Sequence, residues 1–448
     1  MNYDVIVIGA GPGGYKCALL LAKQGKNVAI IEKCEEQIGG TCLNEGCIPA
    51  KHYLESATYL AKKSYFESCG LHVEDISLDI NTLRNKKNDL IEQLRGGINT
   101  KLKKAKITTI IGTATFENEN SIRINDKILK ADKFVIASGS THRPHPLLEI
   151  DGKQIISSKE VFKLDKIPNS ILVVGGGAIG CEFATFFNSL GVKVDIAEFT
   201  SQIVPAEDVD VAKALQRELQ KKGISITVEA NVTSFIKNKD SVKIIMQTKK
   251  GEVISDYELV LVSIGRAPNT NELNLEKANI NSDRGFVTVS QELLASNSNV
   301  YALGDIIPTP ALAHSAYNEA NVVANNINGS TCKPSTVIPF VTFCQPQVAS
   351  VGKNEKILKA EGIEYETIKH FYKSSAKAKI KGDDSGFIKL LCEKSSGIIL
   401  GGVMIGNDTT EHIHQILIAI NTKLTKDELA SMVFAHPTLS ESLWEMVH

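Results

Sequence analysis

The chain has 448 residues, with 50 Lys and Arg against 51 Asp and Glu, 43% hydrophobic residues and nine cysteines. This length predicts about two to four domains, and the near-zero net charge argues against nucleic acid as a partner, because a polyanion requires a positive field. No apolar run approaches the roughly 18 residues of a membrane-spanning helix, and no basic leader or signal core opens the chain, so we expect no membrane partner and a cytoplasmic location.

The first predicted unit is a buried strand, a helix and a second buried strand. An apolar run over residues 5–8 ends in a glycine-rich turn, a helical pattern follows, and the second apolar run ends at Glu32. The turn contains Gly9, Gly11 and Gly14, the spacing that lets a pyrophosphate approach the backbone at a helix N-terminus. The acid 18 residues after Gly14 is able to accept the hydroxyls of an adenosine ribose.

The same pattern recurs 166 residues later without a gap. Residues 4–32 align with residues 170–198, and each segment has its acid 18 residues after the last glycine. One such turn also occurs for packing alone, but two in the same frame predict two dinucleotide sites. The matching residues of the second segment are Gly175, Gly177, Gly180 and Glu198.

The remaining elements extend the repeat to whole domains. After Glu32 the sequence predicts a glycine-rich loop, a helix from about Cys47, a helix over 79–104, and strands over 108–116, 121–124 and 134–137. After Glu198 it predicts a helix over 209–222 and strands over 225–235, 242–247 and 259–264. From about Pro339, strands over 341–343, 387–392 and 398–405 precede two helices. We therefore predict an α/β chain with two Rossmann-like dinucleotide-binding domains and a C-terminal α+β domain.

Cys42 and Cys47 carry the sequence signal for redox chemistry. A zinc site needs further cysteines or histidines at characteristic spacing, and their absence nearby leads us to expect no metal. Two thiols five residues apart are able to form a disulfide where the chain bends, and Gly46 allows such a bend. The alternative is two ordinary buried cysteines. An odd total of nine argues against a secreted disulfide framework.

The cysteine block GGTCLNEGCIPAK over residues 39–51, with the turns GAGPGG and GGGAIG, resembles the class I pyridine nucleotide-disulfide oxidoreductases over essentially the whole chain. The string AHPTLSE over residues 435–441 is most similar to the dihydrolipoamide dehydrogenases of that family. The resemblance implies an FAD-binding domain over 1–145 and 267–335, an NAD-binding domain over 146–266 and a dimerisation domain over 336–448.

The resemblance also implies the residues at each nucleotide. Lys51 is expected near the flavin, paired with Glu182. At the second site the acid favours NAD over NADP, because residues 199–204 contain no Arg or Lys for a 2'-phosphate. The residues expected at FAD are Gly9, Gly11, Gly14, Glu32, Ala114, Ser138, Gly139, Asp305 and Ala313. Those expected at NAD are Gly175, Gly177, Gly180, Glu198 and Gly265.

The catalytic roles implied by the resemblance belong to Cys42, Cys47, His436 and Glu441. Cys42 would exchange with substrate, Cys47 would face the flavin, and His436 would be the base that Glu441 orients, supplied by the other subunit of a homodimer. The expected reaction oxidises protein-bound dihydrolipoamide and reduces NAD+, with a lipoyl-bearing subunit of a 2-oxoacid dehydrogenase or related complex as partner. The alternatives are an NAD(P)H-dependent reductase of another small disulfide, a flavin NADH oxidase, and a non-enzymatic assembly subunit.

Overall fold

The computed structural model describes residues 2–72, 74 and 76–448. Within these residues, no helix has both the length and the hydropathy that crossing a membrane requires. The chain divides into two compact units, which are described in turn. The first comprises Met1–His52, Asn81–Arg143 and Gly265–Thr336, and the second comprises Tyr53–Ile80, Pro144–Ile264 and Val337–His448.

The helices range from short turns of helix to the 25-residue α5. In chain order they are α1 (Pro12–Lys23), α2 (Gly40–Asn44), α3 (Cys47–Ala61), α4 (Lys63–Ser68), α5 (Ile80–Lys104), α6 (Ser158–Val161), α7 (Ala178–Ser189), α8 (Val209–Lys221), α9 (Ala313–Ile327), α10 (Glu355–Ala360), α11 (Ala376–Ile380), α12 (Thr409–Asn421), α13 (Lys426–Ala430) and α14 (Glu441–Glu445).

The strands form three main sheets and several short ribbons. In chain order they are β1 (Asn2–Ile8), β2 (Val28–Glu32), β3 (Thr108–Ile111), β4 (Ala114–Asn118), β5 (Ser121–Ile124), β6 (Lys127–Ile136), β7 (Ser140–His142), β8 (Ile155–Ile156), β9 (Ser170–Val174), β10 (Lys193–Glu198), β11 (Ser225–Val228), β12 (Asn231–Lys237), β13 (Val242–Thr248), β14 (Gly251–Tyr257), β15 (Leu259–Val262), β16 (Arg266–Pro268), β17 (Ser282–Asp283), β18 (Phe286–Val287), β19 (Val300–Ala302), β20 (Phe340–Thr342), β21 (Gln347–Gly352), β22 (Tyr365–Phe371), β23 (Phe387–Glu393) and β24 (Ile399–Gly406).

The first unit is built on a seven-stranded sheet in the order β3-β2-β1-β6-β5-β4, with β19 also paired to β6. The pairs β1–β2, β1–β6, β2–β3 and β6–β19 are parallel, whereas β4, β5 and β6 form the antiparallel excursion that the sequence predicts. The two apolar runs predicted as buried strands, β1 and β2, lie in its hydrophobic core. Their carboxyl ends meet at one edge, where a doubly wound sheet binds its ligands.

One predicted strand of the first unit is two strands. The run over 108–116 divides at Gly112, which has a φ of +149° and lies between β3 and β4. A Cβ at Gly112 would lie 2.6 Å from Cγ2 of Ile124. The alternating hydrophobic pattern continues across this glycine, so the pattern alone does not reveal the break.

The second unit contains a parallel sheet in the order β11-β10-β9-β15-β8 and an antiparallel sheet β12-β13-β14. This is the second half of the repeat, with its own excursion before the last parallel strand. The predicted strand over 225–235 divides between β11 and β12 at Glu229, which has a φ of +53°.

The C-terminal part of the second unit is an antiparallel sheet in the order β20-β21-β24-β23-β22. Helix α12 buries Ile413, Ile416 and Ala419 in a core shared with Ala349 and Met404 of the sheet. These elements confirm the predicted fold class, two Rossmann-like α/β sheets and a C-terminal α+β region.

Candidate active site and nucleotide sites

The first glycine turn is fixed by close backbone packing. Gly9 has a φ of +102°, and a Cβ there would lie 2.3 Å from the carbonyl oxygen of Ala137. A Cβ at Gly14 would lie 1.9 Å from the carbonyl oxygen of Gly9. Helix α1 begins directly after Gly11, so its free amides face the turn. The structure also brings together Gly9 and Ser138, two of the residues expected at FAD. A Cβ at Gly9 would lie 3.1 Å from the Cα of Ser138.

Glu32 ends β2 beside this turn. Its Oε2 accepts a hydrogen bond from the amide of Ala10 at 2.8 Å, and its Oε1 accepts one from the amide of Lys33 at 2.8 Å. Burial raises the pKa of Glu32, and these two amides oppose that shift. The carboxylate is therefore held in a fixed orientation at the edge of the sheet where the ribose is predicted.

The second glycine turn repeats this geometry. Gly175 has a φ of +104°, and a Cβ at Gly180 would lie 2.0 Å from the carbonyl oxygen of Gly175. Helix α7 begins directly after Gly177. Glu198 accepts the amide of Gly176 at 2.6 Å on Oε2, the same position that Ala10 occupies in the first repeat. Its Oε1 accepts the amide and the hydroxyl of Thr200, each at 2.7 Å.

Both turns leave room for a phosphate. A Cβ at Gly11 would meet only the Cα of Gly40 within 4 Å, at 3.8 Å, and a Cβ at Gly177 would meet nothing within 4 Å. Each open position precedes the N-terminus of a 12-residue helix, whose unpaired amides and dipole favour a phosphate. The residues present therefore fit the dinucleotides that the sequence predicts.

The segment 138–140 adjoins the first turn and is bound by Asn269. The amide of Asn269 donates to the carbonyl of Gly139 at 2.9 Å, and the hydroxyl of Ser138 donates to the carbonyl of Asn269 at 2.8 Å. Gly265 belongs to the same compact unit, where its φ is +114° and its carbonyl accepts the amide of Arg143 at 2.9 Å.

Asp305 is held by two residues, Ser140 and Arg266, that the sequence alone does not assign to a nucleotide site. The hydroxyl of Ser140 donates to Oδ2 of Asp305, and the guanidinium of Arg266 lies 3.5 Å from the same oxygen. Arg266 also donates to the Ser140 hydroxyl at 2.6 Å. The preceding amide, of Gly304, donates at 2.6 Å to the buried carboxylate of Glu319, whose pKa is raised by burial. Two carboxylates thus fix this loop, which follows β19.

Ala114 and Ala313, both expected at FAD, are the first residues of a strand and a helix. Ala114 begins β4, is buried, and pairs with Ile124. Ala313 is the first residue of α9, where a backbone amide has no partner within the helix. Because an alanine side chain has no polar group, Ala114 and Ala313 are able to make a polar contact to a cofactor only through the main chain.

Cys42 lies in the middle of α2 and Cys47 is the first residue of α3, and their thiols hydrogen-bond to each other. This hydrogen bond, followed by burial, raises the pKa of Cys42, while the nearby positive charge of Lys51 lowers it. Both cysteines are free thiols, Cys42 half-buried and Cys47 exposed. The structure therefore brings together the two predicted cysteines and Lys51, one turn after Cys47 on α3.

The bend between the cysteines depends on close packing at Gly46. A Cβ there would lie 2.9 Å from the carbonyl oxygen of Thr41 and 3.4 Å from the Cα of Cys42. The φ of Gly46 is not positive. The bend therefore requires a residue without a Cβ, and not the conformational freedom of glycine on which the prediction rests. Glu45, between the cysteines, accepts a hydrogen bond from Nε2 of Gln37 at 3.1 Å.

A tyrosine pair near the cysteines was not predicted. The hydroxyls of Tyr15 and Tyr317 are 2.7 Å apart, and the pKa of Tyr317 is raised by burial, then by Tyr15 and by the two thiols. The positions of the two tyrosines differ by 302 residues in sequence, so no local pattern links them.

His436 and Glu441 meet in the C-terminal region. Nδ1 of His436 lies 3.0 Å from Oε2 of Glu441, and the imidazole side chain is 73% exposed while the carboxylate is 8% exposed. Thr438 fixes the intervening turn, since its hydroxyl donates to the carbonyl of Ala435 at 2.7 Å and accepts the amide of Glu441 at 3.2 Å. A buried acid thus orients an exposed imidazole and leaves Nε2 available for proton transfer.

Glu182 lies on α7 and is buried. Its Oε1 accepts the amide of Phe343 at 2.9 Å, in the loop after β20. The predicted pairing of Glu182 with Lys51 stays a prediction.

Residues 3–320 match the family described as pyridine nucleotide-disulphide oxidoreductase, and residues 338–447 match the dimerisation domain of that family. The chain belongs to this family. Its full-length relatives include dihydrolipoyl dehydrogenase 1 of Arabidopsis thaliana mitochondria, 34% identical over 452 residues that cover 99% of this chain and 89% of that protein. The dihydrolipoyl dehydrogenase of Staphylococcus aureus is 34% identical over 448 residues, covering 99% and 95%.

Two solved structures have the same fold over almost the whole chain. The Cu(II) complex of RclA, an HOCl-induced flavoprotein disulfide reductase of Escherichia coli, superposes with a TM-score of 0.89 at 25% identity, covering 100% of this chain and 99% of that one. LpdA of Mycobacterium tuberculosis superposes with a TM-score of 0.90 at 25% identity, covering 99% of each chain. Among the residues described here, no group of three or more His, Cys, Asp or Glu is arranged to hold a metal ion.

As a pyridine nucleotide-disulphide oxidoreductase, the protein is a flavoprotein disulfide oxidoreductase of a family that binds FAD and a pyridine nucleotide, and it carries the dimerisation domain of that family. The family and fold predicted from sequence are confirmed. The roles of individual site residues, the substrate and the choice between NAD and NADP stay predictions.

Proposed function

We propose that the protein oxidises protein-bound dihydrolipoamide and reduces NAD+ through the Cys42–Cys47 pair, as a dihydrolipoyl dehydrogenase. The observation that carries the proposal is the thiol–thiol hydrogen bond between Cys42 and Cys47, beside a glycine turn that fits FAD. Relatives named dihydrolipoyl dehydrogenase, at 34% identity over full length, favour this substrate. The remaining proposals are a homodimer, a cytoplasmic location and a lipoyl-bearing partner subunit.

The chemistry of the protein's own residues is thiol–disulfide exchange. His436, oriented by Glu441 and supplied across the homodimer, removes a proton from one dihydrolipoyl thiol. The resulting thiolate attacks Sγ of Cys42 in the oxidised pair, and Cys47 leaves as a thiolate that the charge of Lys51 favours. The second substrate thiol then attacks the substrate-derived sulfur of the mixed disulfide and breaks its bond to Sγ of Cys42, which takes up the proton of that thiol, so that lipoamide leaves and both cysteines are reduced. FAD, when bound, carries the two electrons from this pair to the pyridine nucleotide.

The nucleotide sites divide between the two repeats. We assign FAD to Gly9, Gly11, Gly14 and Glu32, with Asp305 held by Ser140 and Arg266, and NAD to the second turn with Glu198. A carboxylate at position 198 repels a 2'-phosphate, so NAD is preferred to NADP.

The test compares dihydrolipoamide, reduced glutathione and related thiols as donors, with NAD+ and NADP+ as acceptors, for the FAD-loaded protein. We expect the highest kcat/KM for dihydrolipoamide with NAD+. The reverse reaction with glutathione disulfide addresses the second candidate, a reductase of another small disulfide, which the fold shared with the disulfide reductase RclA favours. A higher kcat/KM for glutathione disulfide than for the lipoyl substrate would establish that alternative.

Two variants test the residue roles. Cys47→Ser should abolish dihydrolipoamide oxidation, while Cys69→Ser, at another exposed cysteine, should leave it unchanged. His436→Gln should lower kcat by a factor on the order of 10²–10⁴, the range for a lost general base, and the control is His414→Gln on α12. An unchanged rate in Cys47→Ser would identify an activity that does not use the pair, such as an NADH oxidase.

A further inference from the structure

Glu198 and Glu32 differ in how many acceptor positions they have left. A carboxylate has about four lone-pair positions, two on each oxygen. Within the described part of the chain, Glu32 accepts one amide on each oxygen, so one position remains on each. Oε2 of Glu198 also accepts one amide, but its Oε1 accepts both the amide and the hydroxyl of Thr200. Glu198 therefore has one free acceptor position where Glu32 has two.

This difference matters because a ribose presents two hydroxyls. Glu32 is able to accept both, one on each oxygen. Glu198 is buried, with 6% of its surface exposed, and only Oε2 retains a free position. A second acceptor at this site has to come from another group.

Thr200 supplies such an acceptor. Its hydroxyl has one proton, and the two acceptors within reach are Oε1 of Glu198 at 2.7 Å and the carbonyl of Gln202 at 2.9 Å. A charged acceptor at the shorter distance takes the proton preferentially. The lone pairs of Oγ1 then remain, and Thr200 is exposed at the surface next to Glu198. The first repeat has Cys34 at this position, and a thiol is a weak acceptor.

We propose that Thr200 is a specificity-determining residue of the second nucleotide site, where Oε2 of Glu198 and Oγ1 of Thr200 each accept one hydroxyl of the adenosine ribose. The hydroxyl proton of Thr200 is used by Glu198, so the pair offers two acceptors and no donor. Such a pair binds an unmodified ribose and gives nothing to a 2'-phosphate. This inference rests on the proposed use of NAD.

Equilibrium binding to the FAD-loaded protein tests the inference. We would measure by calorimetry the Kd values of NAD+, 2'-deoxy-NAD+, 3'-deoxy-NAD+ and NADP+ for the wild type, Thr200→Val and Thr200→Ser. Thr200→Val should weaken NAD+ binding about three- to tenfold, the effect of one lost hydrogen bond, because the methyl group that replaces Oγ1 covers the acceptor position that this substitution frees on Oε1 of Glu198. The loss should disappear for whichever deoxy analogue lacks the hydroxyl that Thr200 accepts. Thr200→Ser, which keeps the hydroxyl, should match the wild type.

Two controls separate this role from a structural one. Thr233→Val changes an exposed threonine on β12 and should leave every Kd unchanged, and the circular dichroism spectrum of Thr200→Val at the assay temperature should match that of the wild type. An equal penalty for NAD+ and both deoxy analogues would mean that the hydroxyl only orients Glu198. If the Kd values of Thr200→Val equal those of the wild type, Thr200 has no role in nucleotide binding.

The same data distinguish failure of the inference from failure of the proposed function. A wild type that binds NADP+ more tightly than NAD+ contradicts the proposed nucleotide and the inference with it. A wild type that prefers NAD+, together with a Thr200→Val variant whose Kd for each of the four nucleotides equals that of the wild type, leaves the proposed function standing and overturns the inference.

Discussion

The two glycine repeats have the same geometry up to the acid and different geometry after it. Gly14 and Gly180 would place a Cβ 1.9 and 2.0 Å from the carbonyl oxygens of Gly9 and Gly175, and both acids accept the amide that follows the first glycine. After Glu32 the chain enters a 3₁₀ turn, α2 and the cysteine pair. After Glu198 it enters an irregular loop and α8. We propose that the shared part binds a dinucleotide in each repeat, and that the divergent part distinguishes the two sites.

The divergent segment of the second repeat is tied to the C-terminal sheet by buried charges. Asp208 caps α8 by accepting the amide of Asp210 at 2.8 Å, and its Oδ2 lies 2.9 Å from Nζ of Lys389 on β23. Lys389, whose side chain is 2% exposed, also lies 2.5 Å from Oε1 of Glu355 and 3.4 Å from Oδ2 of Asp210. The segment after Glu198 thus has a structural role, where the segment after Glu32 carries thiols.

The largest expected effect comes from the same substitution in each repeat. Gly14→Ala and Gly180→Ala both introduce a methyl that overlaps backbone, which cannot move aside as a flexible side chain does. If the repeats bind separate nucleotides, Gly14→Ala loses FAD, while Gly180→Ala keeps its flavin and loses NAD+ binding. Flavin absorbance per chain and calorimetry with NAD+ measure the two outcomes.

Gly177→Ala is the matched control for Gly180→Ala. A Cβ at Gly177 meets nothing within 4 Å, so the protein alone tolerates it. We expect the melting temperature to stay at the wild-type value while NAD+ binding weakens, because the methyl occupies space that a phosphate needs. Loss of flavin from Gly180→Ala, or retention of flavin by Gly14→Ala, would contradict the division of nucleotides between the repeats.

What the sequence predicts well is whatever a local pattern encodes. The glycine spacing, the strand-end acids and the five-residue cysteine spacing are each short strings, and the structure gives them closely packed turns, paired carboxylate hydrogen bonds and hydrogen-bonded thiols. The breaks at Gly112 and Glu229 escaped prediction, because hydrophobic alternation continues through a residue whose φ is positive.

What the sequence does not predict is contact between distant residues. Arg266 and Ser140 meet at Asp305 although they are 126 positions apart, and Lys389 meets Asp208 across 181 positions. In the sequence, Lys389 interrupts the apolar strand β23, and only the structure shows that the carboxylates of Asp208 and Glu355 neutralise its charge. Glu207 is ordinary in sequence, and only burial makes its titration unusual.

The next largest effect should follow removal of the buried lysine. Burial lowers the pKa of Lys389, but hydrogen bonds to Glu355 and Asp208 more than offset this and raise the pKa overall. Lys389→Met keeps the length of the side chain and leaves the carboxylate of Asp208, 7% exposed, without its counter-ion. We expect a loss of about 3–5 kcal/mol in the stability of the second unit, read from the denaturant midpoint.

Lys359→Met is the control for Lys389→Met. Lys359 lies 3.7 Å from the same Glu355, but its side chain is 69% exposed, so its loss should cost less than about 1 kcal/mol. Equal shifts in the two variants would mean that the buried cluster does not anchor α8. Flavin absorbance should stay unchanged in both variants, because the first repeat has no part in the cluster.

The smallest effect is a pH dependence confined to the second repeat. Glu207 precedes Asp208, and Oε2 of Glu207 is buried without a hydrogen-bond partner in the described structure. Burial raises the pKa of Glu207 from 4.5 to about 7, Ser350 lowers it, and the charge of Asp208 raises it. Because the folded pKa exceeds the unfolded one, the stability contributed by the neutral carboxyl is complete below pH 4.5 and is lost as the pH rises through 7.

Glu207→Gln removes this titration. The amide is neutral at every pH, so the variant should be close to the wild type at pH 5 and more stable by about 3 kcal/mol at pH 8. Melting temperatures from pH 5 to 8.5 measure the difference, which should rise through pH 7 and then level off. Glu252→Gln, at an exposed position on β14, should give a curve parallel to the wild type. A constant difference between Glu207→Gln and the wild type would mean that Glu207 is already ionised in the folded protein at pH 5, and that the segment after Glu198 carries no titrating contact.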